Sequence, residues 1–322
     1  MYTNSAAIFR GDIAGVLEQA KDWESSLIGT RVLPILPVAT RAGQYPVFQL
    51  ASGQLLKSGD VKPRAAYSQF PRGTRAFTQD TYLCQEIGYE EAVDDTVQAD
   101  ISRFFNAEVL AAKLCQRKLL LAHELRVAST IFNNSTFTAT NSSVAYTTAN
   151  LATMNVALDV ELAIDRLLGL GESRDNLRVV MSNQVWLRIK ASTLFQNRLR
   201  GAGISNDTFL NSSEQAAADV FGVREVIIGR ASYDTAPEGV AYSGAQVWNN
   251  TFIWVGSVSE SGGGYFGGGA GFTLAWSEYG PVTGVFTYRD EAIKSNIVRA
   301  SHAVTEKIVN ANAGQLITTQ YS

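Results

Sequence analysis

Histidine and cysteine are scarce in this sequence of 322 residues, which holds two of each. A structural zinc site needs four cysteine or histidine ligands at close spacing, whereas His123, His302, Cys84 and Cys115 are scattered along the chain. Two cysteines are too few for a disulfide framework, so the sequence predicts two buried free thiols in a reducing compartment. The histidines are predicted to be packed or surface side chains, and no metal ligand is assigned.

Motifs that mark catalytic or cofactor sites are missing as well. The sequence holds neither a G-x-S-x-G nucleophile turn nor a phosphate-binding P-loop. The run GGGYFGGGAG, Gly262–Gly271, contains the dinucleotide-binding spacing G-x-G-x-x-G. The following FTLAWSEYG has the pattern of a strand, where a dinucleotide site requires a helix. We therefore predict a hairpin tip at this run, no catalytic or cofactor-binding residue, and a protein that is not an enzyme.

Charge and long apolar runs are limited too. Charged residues make up 18% of the chain and the net charge is −3, so there is no overall basic footprint for nucleic acid. No apolar run approaches about 18 residues, and the N-terminal MYTNSAAIFRGDI lacks a signal-peptide pattern, so no membrane contact is predicted. The apolar fraction of 46% suffices for a large core. The low charged fraction predicts that part of the surface contacts other subunits.

The first half of the sequence divides into an arm, a β excursion and a helix. In RVLPILPV, Arg31–Val38, the prolines exclude a central strand and favour extended or turn structure. Two β-prone stretches, Tyr45–Leu50 and Thr78–Tyr89, flank a polar, basic middle and predict a projecting hairpin. Asp94–Asn133 predicts one uninterrupted amphipathic helix, about 60 Å long. The apolar stripe of that helix comprises Val97, Ile101, Phe105, Val109 and Ala112.

The second half alternates helices and strands. A helix is predicted over Leu151–Gly169 with Gly169 as its C-cap, and Leu177–Ser192 reads as a buried strand followed by a helix. Leu199–Ser213 is rich in Gly, Asn and Ser and is predicted to be a loop, whereas Ala218–Ala231 passes from a helical turn into a buried strand. Further strands are predicted in TFIWVG, FTLAWSEYG, GVFTYRD and the final segment EAIKSNIVRASHAVTEKIVNANAGQLITT.

Three of these segments resemble a known family. They are RVVMSNQVWLRIKAS (Arg178–Ser192), FGVREVIIGRASYDTA (Phe221–Ala236) and EKIVNANAGQLIT (Glu306–Thr318). They are similar to segments of the major capsid proteins of tailed bacteriophages, and the order of arm, hairpin, long helix and α/β region along nearly the whole chain is similar as well. The resemblance implies an α+β, HK97-like capsid fold. The implied parts are an N-terminal arm at 1–45, an extended β-hairpin (E-loop) at 46–89, a peripheral domain with a spine helix at 90–150 and 284–312, an α/β axial domain at 151–283 and a C-terminal tail at 313–322.

The resemblance also implies a function and partners. It implies a coat protein that self-assembles into hexamers and pentamers of an icosahedral shell enclosing double-stranded DNA. The implied partners are other copies of the chain, a portal protein and decoration or cement proteins. Many coats of this family begin with a long helical scaffolding segment, and this chain starts almost directly at the arm. A separate scaffolding protein, or a processed chain, is therefore implied. The implied location is the virion, after assembly in the host cytoplasm.

Three other functions fit parts of the sequence. An encapsulin-type cellular nanocompartment has the same fold around a protein cargo, and its packaged content distinguishes it from a phage shell. A phage tail or decoration protein would form tubes or trimers instead of shells. A small-molecule enzyme of α/β type would run as a compact monomer.

The net charge also limits how strongly a coat protein of this kind is expected to bind DNA. A lining that gripped phosphates tightly would hinder packaging and release, and a net charge of −3 does not favour it. We therefore expect weak contact without sequence preference. The basic groups Arg10, Lys21 and Arg31 on the arm are expected to be held in ion pairs between subunits.

Overall fold

The computed structural model describes residues 8–9, 26–47, 61–70, 72, 78–101, 106–201, 213–237, 239–259, 268–280 and 284–321. The helices of this part of the chain are α1 (Gly29–Val32), α2 (Asp95–Ile101), α3 (Ala107–Ile131), α4 (Val156–Gly169), α5 (Asn183–Ala191), α6 (Thr193–Gly201) and α7 (Ser213–Phe221). The strands are β1 (Ile8–Phe9), β2 (Ile35–Val38), β3 (Ala42–Val47), β4 (Thr78–Leu83), β5 (Gln85–Asp94), β6 (Thr138–Asn141), β7 (Leu177–Ser182), β8 (Glu225–Gly229), β9 (Ser232–Asp234), β10 (Gly244–Gln246), β11 (Phe252–Ser257), β12 (Gly271–Trp276), β13 (Gly284–Asp290), β14 (Ser295–Ile308) and β15 (Gly314–Thr318).

A five-stranded mixed sheet, in the order β6-β15-β11-β7-β8, carries the largest core. Strands β7 and β8 are parallel, and α5, α6 and α7 lie on the connection between them. Alternate residues of a strand point to opposite faces. Val179 and Met181 therefore pack beneath helices α4 to α7, while Val180 packs on the side of α3. Because both faces are covered, β7 is apolar over nearly its whole length, as the sequence predicted.

A six-stranded sheet is organised around the long strand β14. This strand pairs with β13, β5 and β12, and α3 packs across β14 and β5. Strand β2 pairs in parallel with β12 at one edge of the sheet. Pro37 is tolerated there because an edge strand leaves one side of its backbone without ladder bonds. The prediction that the prolines exclude a central strand is confirmed.

The single helix predicted over Asp94–Asn133 is wrong. The structure has the short α2 and then a separate α3 of 25 residues, which is about 37 Å long. The side chain of Asn106 accepts hydrogen bonds from the backbone N–H groups of Glu108 (3.0 Å) and Val109 (3.3 Å). This is an N-cap, and it starts a new helix where the apolar periodicity alone suggested continuity. Phe105, a member of the predicted stripe, lies outside the described residues.

Most of the other predicted elements are confirmed, with three corrections at helix ends. Helix α4 begins at Val156 and not at Leu151, because Asn155 is its N-cap. Gly169 is the last residue of α4 and not its cap; Leu170 is the C-cap, and Gly171 has the positive φ of 90°. Glycine takes that left-handed conformation without the steric cost of a Cβ. The predicted loop Leu199–Ser213 begins too early, because α6 continues through Gly201.

The glycine-rich run Gly262–Gly271 does not close a hairpin. Strands β11 and β12 on its two sides belong to different sheets, since β11 pairs with β7 and β15 and β12 pairs with β14 and β2. The run therefore connects the two sheets of the fold. Its residues 262–267 lie outside the described residues.

The two sheets also draw strands from distant parts of the chain. Strands β6 and β15 complete the five-stranded sheet although they fall in the ranges predicted as peripheral domain and tail. Strand β12 belongs to the six-stranded sheet although it falls within the predicted axial range, 151–283. The predicted stretch Thr78–Tyr89 is divided at Cys84, because β4 pairs with β3 and β5 pairs with β14.

Candidate functional site

The β3–β4 hairpin is the first candidate contact surface. Its strands pair over six residues each, from Ala42 opposite Leu83 to Val47 opposite Thr78. Residues 61–70, between the two strands, are all exposed. They include the apolar side chains of Val61, Tyr67 and Phe70 and the basic side chains of Lys62 and Arg64. The Arg64 guanidinium lies 5.2 Å from the centre of the Phe70 ring. Exposed aromatic and basic side chains on a hairpin are typical of a surface that contacts a partner.

A buried carboxylate fastens the N-terminal segment to the interior. Glu124 of α3 accepts hydrogen bonds from the backbone N–H groups of Ile28 (2.9 Å) and Gly29 (2.6 Å) and from the indole N–H of Trp248 (2.6 Å). Glu124 and Trp248 are almost completely buried. One side chain thus joins the start of α1, the long helix and the segment after β10. No feature of the sequence around Glu124 predicted this role, because its three donors come from distant residues.

Arginines of the same region also pair within the chain. Arg31 forms an ion pair with Glu225 of β8, and the Arg178 guanidinium donates a hydrogen bond to the Arg31 carbonyl oxygen at 2.7 Å. Arg31, which was expected to pair between subunits, thus has an acidic partner on β8 of its own chain. Arg10 and Lys21 lie outside the described residues.

The two histidines meet in the interior between α3 and the six-stranded sheet. The rings of His123 and His302 are 6.1 Å apart between centres and meet edge to face. Arg126 Nη2 lies 3.2 Å from His302 Nε2, and its Nε donates to Glu306 at 3.1 Å. His123 Nε2 lies 3.3 Å from Thr273 Oγ1 and 3.5 Å from the Glu306 carboxylate. The prediction of packed histidines is confirmed.

This polar cluster holds elements together and does not form an open site. The side chains of His123 and Glu306 are only 4% and 8% exposed, so a substrate has no access to them. Among the described residues, no group of three or more His, Cys, Asp or Glu is placed to hold a metal ion. Cys84 and Cys115 are buried and free, as predicted, and burial raises the pKa of the Cys115 thiol to about 11. No helix in the described part of the chain is long and apolar enough to cross a membrane.

Acid is expected to destabilise the fold through His123. Burial, with the nearby charges of Arg126 and His302, lowers the pKa of His123 from 6.5 to about 3. Between those values the unfolded state binds a proton that the folded state does not. The free energy of unfolding should therefore fall as the pH falls below 6.5, by about 1.4 kcal/mol per pH unit from this residue. Urea unfolding at pH 7 and pH 5 measures the loss.

The matched control is the His123→Gln variant, which keeps a polar side chain and removes the titration. Its loss of stability between pH 7 and pH 5 should be smaller than that of the unaltered protein by about 2 kcal/mol. Glu306 is common to both proteins. Burial raises the pKa of Glu124, which stabilises the folded state as the pH falls. Glu124 is also present in both proteins, so its effect cancels in the comparison. Equal losses of stability in the two proteins would show that His123 is not the source of the acid sensitivity.

Comparison with known proteins shows which solved structures share this fold. No family model and no curated protein matches the sequence. Among solved structures, a phage-related protein from Bordetella bronchiseptica is 20% identical, with a TM-score of 0.70 over 98% of this chain and 99% of that one. The capsid of the Myoviridae phage XM1 is 12% identical, with a TM-score of 0.53 over 99% of this chain and 94% of that one. A virus-like particle from Pyrococcus furiosus is 10% identical, with a TM-score of 0.54 over 96% of each chain.

These similarities extend along almost the whole chain. At this level of identity they concern the fold. The chain has the α+β, HK97-like fold of phage capsid structures.

Proposed function

We propose that this chain is a major capsid protein, a structural subunit that assembles with copies of itself into a closed shell. The observation that supports this most strongly is the agreement of the fold over 98% of this chain and 99% of the phage-related protein, together with the similarity to the XM1 capsid. The ionisable groups of the interior also fit a structural subunit, because Glu124 and the histidine cluster bind other parts of the chain. The exposed hairpin tip supplies a surface that a neighbouring copy could cover.

The proposal includes a specific assembly and setting. Hexamers and pentamers of the chain form an icosahedral shell that encloses double-stranded DNA in the virion, after assembly in the host cytoplasm. A portal protein, a separate scaffolding protein and decoration proteins are the proposed partners. No catalytic step is assigned to the chain.

A second candidate is the shell of an encapsulin-type nanocompartment. The observation that favours it is the similarity to the Pyrococcus furiosus virus-like particle over 96% of both chains. Both candidates predict a closed shell, and they differ in its contents. A phage shell contains double-stranded DNA, whereas a nanocompartment contains a protein cargo.

Electron microscopy of the purified chain tests the shared part of the proposal. We expect particles, or sheets and aberrant shells built from rings of subunits, together with a high-molecular-weight peak on size exclusion. Nucleic-acid and protein analysis of particles isolated from cells of origin then distinguishes the two candidates. A chain that remains a compact monomer at high concentration, alone and with candidate scaffolding proteins, would contradict both.

Removing the hairpin tip is expected to abolish shells while leaving the subunit folded. The change deletes Gly53–Arg72 and joins the ends with a short Gly/Ser bridge. The paired strands β3 and β4 lie outside the deletion, and the described residues 61–70 are exposed, so those ten residues contribute little to interior packing. Circular dichroism and thermal unfolding measure the fold, and electron microscopy counts particles. A same-length Gly/Ser replacement of residues 61–70 is the control that separates loss of side chains from loss of length. Normal particles from the deletion would show that the hairpin is dispensable.

Free subunits are expected to bind duplex DNA only weakly and without sequence preference. The net charge of −3 gives little attraction to phosphates, and what binding there is should disappear as salt rises because it depends on counterion release. Titration of unassembled protein with short duplexes of two different sequences, at low and moderate salt, measures this. Submicromolar binding that persists at moderate salt would contradict the prediction and would favour a nucleic-acid-binding role for the basic hairpin tip.

A further inference from the structure

Helix α4 presents leucines on the side that faces away from its own core. Val160, Ile164 and Leu167 are buried against the five-stranded sheet. Leu158 and Leu162, one turn apart on the other side, are 41% and 60% exposed. A helix that is apolar on both sides is normally buried on both. The outer side of α4 is therefore suited to a partner.

Acidic residues flank these leucines. Glu161 and Asp165 are exposed on the outer side of α4, at positions three and seven residues after Leu158. Residues at that spacing lie along one side of a helix. Glu161 also pairs with Arg174 of its own chain, which leaves Asp165 as the simpler residue to test. Leu158, Glu161, Leu162 and Asp165 are called the acidic leucine patch.

A second patch with leucines and the opposite charge lies on α5 and α6. Leu187 of α5 is 55% exposed and Leu194 of α6 is 36% exposed. Arg198 lies one turn after Leu194 on the exposed side of α6, and Arg200 is exposed two residues later. The inner side of α6 packs through Phe195 and Leu199 into the same core as α4. Leu187, Leu194 and Arg198 are called the basic leucine patch; Arg200, two residues after Arg198, lies on another side of the helix.

The two patches belong to one layer of helices. Helix α4 packs on β15 and β11, α5 packs on β7 and β8, and α6 packs on α5 and α7. All of these helices cover the same face of the five-stranded sheet. Copies of the chain placed side by side in a shell would bring helices of this layer together.

We propose that the acidic leucine patch of one copy packs against the basic leucine patch of a neighbouring copy. This inference rests on the proposed function, because it names a contact between shell subunits. Leucines would meet leucines, and Asp165 would face the guanidinium group of Arg198. Contact of α4 with α4 of the neighbour is disfavoured, because carboxylates would face carboxylates. A contact between two different patches is heterologous, and such contacts form a ring when the rotation from copy to copy closes.

A charge exchange between subunits tests this contact. The first variant is Asp165→Arg, which reverses the charge that faces Arg198 of the neighbour; the second is Arg198→Glu, which makes both patches acidic. Each variant alone should lose at least ten-fold in the fraction of subunits that assemble, measured by sedimentation and electron microscopy. A mixture of the two variants should recover assembly, since every contact between unlike subunits again pairs opposite charges. In a head-to-tail ring the two variants must alternate, so the mixture should form rings with an even number of subunits, such as hexamers, and not the pentamers that a closed shell also needs.

Control variants distinguish a failure to fold from the loss of the contact between subunits. The charge-conserving substitution Arg198→Lys should assemble as the unaltered chain does. Leu162→Gln should leave monomer unfolding unchanged and reduce assembly at least ten-fold, which tests the contact even if a charge variant fails to fold. The contact is wrong if the unaltered chain assembles and either charge variant alone also assembles normally, or if the mixture stays unassembled. An unaltered chain that never assembles overturns the proposed function together with the contact.

Discussion

Replacing Glu124 by alanine is expected to remove most or all of the stability of this fold. The backbone N–H groups of Ile28 and Gly29 and the indole N–H of Trp248 would lose their common acceptor. Each buried donor left without a partner costs about 1–3 kcal/mol. Three such losses are comparable with the whole free energy of unfolding of an ordinary domain, about 5–15 kcal/mol. We expect insoluble protein or a large fall in the denaturant midpoint.

Two further variants make this result specific to Glu124. Glu124→Gln keeps one acceptor oxygen but turns an amide N–H₂ towards groups that are themselves donors, so it should be intermediate in stability. Glu278→Ala removes an exposed carboxylate and should change the free energy of unfolding by less than about 0.5 kcal/mol. Chemical denaturation of the three variants gives the order of their free energies of unfolding. A Glu124→Ala protein as stable as Glu278→Ala would contradict this role of Glu124.

Placing a methyl group at Gly229 is expected to have the second large effect. A Cβ there would lie 2.3 Å from Cδ1 and 2.4 Å from Cγ of the Trp248 ring. Trp248 is fully buried and meets Phe132 edge to face at 5.2 Å between centres. Moving the ring would disturb its contact with Phe132 and its hydrogen bond to Glu124. Overpacking of this kind costs about 1–3 kcal/mol and occasionally more, and we expect Gly229→Ala to lie at the upper end.

Gly169→Ala is the matched control for Gly229→Ala. Gly169 ends α4, and a Cβ built there meets no atom within 4 Å. Alanine is favoured over glycine in a helix by about 0.5–1 kcal/mol, so this variant should be unchanged or slightly more stable. Thermal unfolding of the two glycine variants compares the same chemical change in a filled and an open position. Similar melting temperatures would show that the core around Trp248 is looser than these contacts indicate.

Local patterns along the chain predicted many of the elements because their signals lie within a few residues. The apolar run at Leu177–Ser182 followed by polar residues predicted β7 and α5, and Ser182 caps α5 by accepting a hydrogen bond from the Val185 N–H at 3.2 Å. The run EVIIG predicted β8. The prolines of Arg31–Val38 correctly excluded a central strand.

Where the prediction was wrong or incomplete, the deciding interaction was polar or distant in sequence. Apolar spacing continues across the boundary between α2 and α3, and a cap at Asn106 breaks the helix there. The strands on the two sides of Gly262–Gly271 looked like a hairpin but pair with strands far away in the chain. Arg31, which was expected to pair with another subunit, has an acidic partner in Glu225, 194 residues along its own chain.

The sequence by itself determined the two kinds of periodicity, the scarcity of histidine and cysteine, and the limited charge. These properties are local or compositional, and they predicted an α+β fold with a large core and no assigned catalytic residue. Only the tertiary structure decided that Glu124 holds Ile28, Gly29 and Trp248 together, and that His123 and His302 meet beside Glu306. The physical reason is that burial and hydrogen bonding depend on which distant segments pack together in the interior. Residue spacing along the chain does not indicate which segments these are.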